Sequence, residues 1–102
     1  MAKTISMTIP HKLTQQEVRS RIEKGIADAQ REHAGKFSKL DHSWKENHLD
    51  FAVGILGQSI NGAVDVNASD IVVHVDLPWL LASFADKIRP QIETQAHKML
   101  AP

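Results

Sequence analysis

The chain contains no cysteine. Disulfides, a thiol nucleophile and a thiolate metal site are therefore excluded. An excess of charge is missing too, with twelve basic residues set against twelve acidic ones. Nucleic-acid binders draw affinity from a basic excess that neutralises phosphates, so no nucleic-acid partner is expected. No apolar run approaches the roughly 20 residues that a membrane span needs. The opening residues Met1 to Ser6 lack the apolar core of a signal peptide. A cytoplasmic location with no membrane span is expected. The length of 102 residues suits one domain, 1–102, around one core.

What is present is patterning. Thr4-Ile5-Ser6-Met7-Thr8-Ile9 alternates, predicting a half-buried strand with Ile5, Met7 and Ile9 inward, ended by Pro10. Thr14-Gln15-Gln16-Glu17 fits a capping box, with Leu13 and Val18 placed as a hydrophobic staple. Val18, Ile22, Ile26 and Ala29 then form one helical stripe. Glu17–Arg21, Lys24–Asp28 and Glu32–Lys36 place opposite charges four apart on its solvent side. Gly35 is the expected helix stop, with Phe37 as its apolar companion.

Short strands follow. Ser43-Trp44-Lys45 is read as a brief one with Trp44 inward, and Glu46-Asn47-His48 as a hairpin turn. Leu49, Phe51, Val53 and Ile55 alternate with Asp50, Ala52 and Gly54. After a turn at Leu56-Gly57-Gln58, Ile60, Gly62, Val64 and Val66 alternate with Asn61, Ala63 and Asp65. After Asn67-Ala68-Ser69-Asp70, Ile71, Val73 and Val75 alternate with Val72, His74 and Asp76. Gly62, on the inward face, is expected to admit a helix closely. Leu77, Leu81, Phe84, Ile88, Ile92 and Met99 mark a final helix, and Pro90 predicts a kink or break between Asp86 and Pro90. The fold class is thus α+β, in the order β-α-β-β-β-β-α: one antiparallel sheet with two helices on one face. That order resembles one repeat of the TATA-binding-protein-like fold in topology.

The chemistry is sparse. Six histidines are read as scattered over the surface, since no three or four have zinc-site spacing. His42 and His48 have Asp41 and Asp50 near them in sequence. His74 and Asp76 share a strand face beside Asp65, but no serine nucleophile or oxyanion loop accompanies them. The glycines precede no helix N-terminus, so no phosphate cradle is expected. No enzyme, metal or cofactor is expected. The outward sheet face carries small and apolar residues, Ala52, Ala63 and Val72, next to His74, and is read either as a solvated face or as a homodimer contact. Trp79 follows Pro78 at the helix start, and partial burial is expected, with one ring edge free for contact. Trp79, Leu80, Val72, Ala63 and His74 are the candidate contact residues.

Three stretches, "HKLTQQEVRSRIE" (11–23), "LDFAVGILGQSINGAVDV" (49–66) and "IVVHVDLPWLLASFADKIRPQI" (71–92), carry a family resemblance. The chain resembles the polyhydroxyalkanoic acid system proteins, small bacterial proteins associated with synthesis or use of polyester storage granules. The shared features are packing residues and bring no catalytic residues with them. The resemblance implies a non-enzymatic role through contact with a granule surface or granule protein, and a granule-associated location. The alternative is a small apolar-ligand module, its pocket between sheet and helices lined by Phe51, Val64, Val73 and Phe84.

Overall fold

The structure is a computed structural model and describes residues 3–32, 35, 39–55 and 57–101. Strand β1 (Lys3–Pro10) leads into helix α1 (Gln15–Glu32). Strands β2 (Lys39–Lys45), β3 (His48–Ile55), β4 (Gln58–Val66) and β5 (Asp70–Leu77) form a meander. A 3-10 helix (Trp79–Phe84) runs directly into α2 (Ala85–Met99). The five strands form one antiparallel sheet in the order β1-β5-β4-β3-β2. The predicted α+β order is the observed one. Lys36, Phe37, Leu56 and the side chain of Ile55, which sequence assigned to an ion pair, a helix stop, a turn and a strand face, lie outside the described residues.

Both helices lie on the face where the alternating apolar residues converge. Ile5, Met7 and Ile9 of β1, Leu49 of β3, Val64 and Val66 of β4 and Ile71, Val73, Val75 and Leu77 of β5 form one cluster with Val18 and Ile22 of α1. Burying each such side chain contributes about 1.5–3 kcal/mol. The entry of α1 is set by the predicted cap: the Glu17 amide donates to Thr14 Oγ1 at 3.1 Å. Only that half of the capping box forms, because the Glu17 carboxylate turns forward to Arg21, 3.3 Å away. Val18 has no exposed surface, and Leu13 packs against the same cluster, as the staple requires. Arg21 then clasps the two helices by donating to the Met99 and Ala101 carbonyls. A cation there meets the carbonyl groups left free at the end of α2.

Several expectations need correction. β2 is seven residues long rather than three. Its inward row, Leu40, His42 and Trp44, contains a histidine, and this hid the alternation. His48 is the first residue of β3, so the turn is only Glu46-Asn47, with Glu46 at a φ of 56°. Gly62 admits the Phe51 ring of the neighbouring strand rather than a helix: a Cβ there would lie 2.2 Å from Phe51 Cζ. Asp28 pairs at 2.7 Å with Arg31, one turn toward the helix end, instead of with Lys24, one turn toward its start.

The final segment differs most. α2 runs unbroken from Ala85 to Met99 with Pro90 inside it. The proline is in the second turn and forfeits a single hydrogen bond. The discontinuity falls earlier, where 3-10 geometry gives way to α geometry at Ala85. The buried stripe of α2 accordingly passes through Ala85 and Ala96, with Ile88, Ile92 and Met99 packed beside them. Leu77 belongs to β5, and Phe84 is exposed.

Candidate functional site

The register places the open face of the sheet in rows. One row runs Ser6, His74, Ala63, Asp50, Ser43, and the next Thr8, Val72, Asp65, His48, Lys45. Three candidate contact residues, Ala63, Val72 and His74, are therefore neighbours: Ala63 is the direct partner of His74, and Val72 stands two residues along the same strand. Each is only partly covered.

Polar side chains on this face satisfy one another. Ser6 Oγ and His74 Nδ1 are 2.9 Å apart, and Thr4 Oγ1 donates to Asp76 Oδ1 at 2.6 Å. Asp65 does not reach His74; it binds Nδ1 of His48, whose Nε2 lies 3.1 Å from Asp50 Oδ1. Both ring nitrogens can donate to carboxylates only in the imidazolium form. The hydrogen bond to Asp65 first, then that to Asp50, raises the His48 pKa above the ordinary 6.5. The sequence reading missed this cluster: it counted Gln58 into the turn, whereas Gln58 pairs with Ile55 as the first residue of β4, and that register sets His48 opposite Asp65.

The histidines are thus not simply scattered over the surface. His11 is 7 % exposed. Its Nδ1 accepts from the Leu13 amide at 3.1 Å, which leaves Nε2 to donate to the Asn67 carbonyl at 3.0 Å. The ring ties the start of α1 to the β4–β5 turn. His42 faces the helix side, where Glu23 of α1 approaches Nε2 at 3.1 Å and also accepts from Trp44 Nε1. Asp41, its sequence neighbour, is on the opposite face. Arg19 stacks 4.8 Å from the Trp44 ring centre. Trp44 thus packs inward, as expected, between the core and this cation.

The other two candidates, Trp79 and Leu80, stand on the 3-10 helix. Pro78 is extended at φ −62° and ψ 158°, so helical geometry begins at Trp79. In a 3-10 helix successive residues turn by about 120°. Leu81 packs against the core, which leaves the columns of Trp79 and Leu80 outside. Trp79 is 65 % exposed and Leu80 47 %, so the expected partial burial of Trp79 gives way to a largely free ring. Phe84, at 46 %, joins them. Sequence reasoning missed it by counting Phe84 into the core stripe. Its backbone, at φ −93° and ψ 1°, departs from helical values, and Ala85 takes the buried position.

The pocket imagined between sheet and helices lacks its expected walls. Val64 and Val73 are buried in the core, Phe51 lies over Gly62, and Phe84 faces solvent. Open depressions lie at the α1–β2 margin, lined by Gln16, Arg19, Ser20, Glu23 and Trp44, and across β2, β3 and β4, where His42, Phe51 and Gly62 are among the lining residues. Among the described residues, no group of three or more His, Asp or Glu side chains is arranged to hold a metal ion. Among them, too, no helix is long and apolar enough to cross a membrane.

Fold and surface together define an α+β protein with one covered sheet face, one open face and an exposed apolar turn. The chain belongs to a family: the model described as "Putative polyhydroxyalkanoic acid system protein" matches residues 5–100. No curated protein and no solved structure matches the chain.

Proposed function

We propose that this protein of the polyhydroxyalkanoate system acts without catalysis in the cytoplasm, by seating the apolar turn Trp79, Leu80 and Phe84 on the polyester granule surface. The observation that carries the reading is the exposure of three large apolar side chains within six residues of one 3-10 helix. Apolar surface left in water favours a partner that removes it, at about 25 cal/mol per Å² buried. The family membership supplies the context in which such a surface exists. A catalytic role has weaker support. His74 is mid-strand, where backbone amides are committed to the ladders and cannot stabilise an oxyanion.

Purified protein should co-sediment with protein-free polyhydroxyalkanoate particles. Trp79→Ala should change the denaturation midpoint little, by about 0.5 kcal/mol or less, because the ring is mostly exposed. It should nonetheless lower the bound fraction, and Trp79→Ala with Phe84→Ser should lower it further. Failure of the unaltered protein to sediment with bare particles would exclude direct surface contact. Recovery of binding on native granules alone would then point to a granule protein.

A further inference from the structure

The two edges of the sheet differ. Backbone groups of a strand point to alternate sides, so the ladder phase decides which residues face outward. In β1 the phase is fixed by the His11 amide, which donates to the Ser69 carbonyl at 2.9 Å. Odd-numbered residues therefore face β5, and Thr4, Ser6, Thr8 and Pro10 face out. This edge is obstructed: Arg89 of α2 donates to the Ser6 carbonyl at 3.1 Å, and Pro10 has no N–H. In β2 the Lys45–His48 pair flanks a two-residue turn and so exchanges both hydrogen bonds. Leu40, His42 and Trp44 therefore direct their backbone groups outward. Gln30 takes the Leu40 carbonyl at 3.3 Å. The backbone groups of His42 and Trp44 have no partner among the described residues.

The geometry points to β2 as a homodimer edge, where a second copy of this chain pairs its own β2 antiparallel about a two-fold axis at Ser43. The charge pattern selects both occupant and register. With the axis at Ser43, His42 pairs with Trp44 of the copy, and exposed Asp41 stands opposite exposed Lys45 of the copy, twice by symmetry. An axis at His42 would oppose Lys39 to Lys45, and one at Asp41 would oppose Asp41 to itself. Among the described residues of its own chain, Asp41 is met at the surface by Lys39 at 3.4 Å. The depression beside Trp44 borders the same edge, and the Nε of Arg19 is buried there without a hydrogen-bond partner. His42 of the copy would close that margin. Main-chain bonds of this kind are a common mode of strand addition. The resulting association lies at the strand edge, away from Ala63 and Val72 on the open face, and is independent of the granule contact.

Sedimentation velocity over a range of concentrations tests it. The unaltered protein should form dimers. Lys45→Glu sets like charges opposite Asp41 at two symmetric positions and should weaken the dimer about tenfold. Asp41→Lys with Lys45→Glu restores opposite charges and should recover most of the loss. His42→Pro removes an outward amide and should yield monomer, while Ala63→Asp should leave the dimer intact. If His42→Pro fails to fold, the charge reversal and its rescue still decide the matter. A monomeric unaltered protein, a dimer indifferent to Lys45→Glu, or one dissociated by Ala63→Asp would overturn the assignment.

Discussion

The two faces of this sheet are built from the same five strands and are held by different physics. The covered face is closed by apolar contact, with Val18, Ile9, Leu49, Ile71, Leu77 and Val66 almost wholly removed from water. The open face is closed by pairs in contact with solvent, such as Thr4 with Asp76, Ser6 with His74 and His48 with its two aspartates. Contacts of the second kind contribute little each, because water competes for every partner. The covered face therefore sets the stability, while the open face is free to vary its chemistry at small cost. The exposed turn at Trp79–Phe84 sits where the chain leaves β5 and crosses to the helices. It has the composition of the covered face without the cover.

The covered face is most easily disrupted at Gly62. Gly62→Ala would put a Cβ 2.2 Å from the Phe51 ring and 2.7 Å from the His74 carbonyl oxygen. The ring can move, but the backbone oxygen is held in the ladder. The expected loss is about 3 kcal/mol, at the upper end of ordinary overpacking. In Gly62→Ala with Phe51→Leu, denaturant unfolding should show a smaller loss than the two single losses added, because the ring clash is shared. Simple additivity would mean that the ring is not the obstacle.

His11 is a polar group placed on the covered side. His11→Ala leaves the Leu13 amide and the Asn67 carbonyl without their partner. An unsatisfied buried group costs about 1–3 kcal/mol, and a comparable fall in unfolding free energy is expected here. Thr14→Ala removes the cap on the Glu17 amide and should cost about 1 kcal/mol. A Thr14→Ser variant keeps the oxygen and should recover most of that loss in the same measurement.

Legibility in the sequence follows the same division. Where one face is buried, alternation had to match the pleat, so β1, β3, β4 and β5 and the helix-covered side could be read from Ile5 to Val75. β2 was curtailed because its inward row includes His42, which satisfies Glu23 instead of adding to the core. Gly62 was placed on the correct face, but its occupant comes from the adjacent strand, information that resides in register rather than in period. Phe84 was misplaced because its backbone leaves helical values at the junction between the two helices, so that Ala85 takes the core position in its stead. Of the candidate contacts, Ala63, Val72 and His74 share a neighbourhood because strand register brings them there. Trp79 and Leu80 stand apart on the 3-10 turn, and Phe84 completes their surface. The edge of β2 was not legible, since an unpaired strand is defined by what lies beside it.

The smallest effect expected is on the open face, at His48. The hydrogen bonds to Asp65 and Asp50 are strongest to the protonated ring, and they raise its pKa above 6.5 in the folded state. A group whose folded pKa is raised stabilises fully below its unfolded pKa, and that contribution is lost as pH rises through the folded value. Stability should therefore decline as pH increases from about 6.5 upward through the raised value, by an amount kept small by solvent. Other groups titrate over this range, so the informative quantity is the difference between the unaltered protein and His48→Gln. Denaturation midpoints taken at intervals from pH 6 to pH 9 should converge as pH rises, because glutamine cannot bind both carboxylates as a cation. Asp65→Asn should remove more of the pH dependence than Asp50→Asn, in the order of their effects on the ring. Parallel midpoints for His48→Gln and the unaltered protein across that interval would show that the cluster on the open face is organised by neutral hydrogen bonds alone.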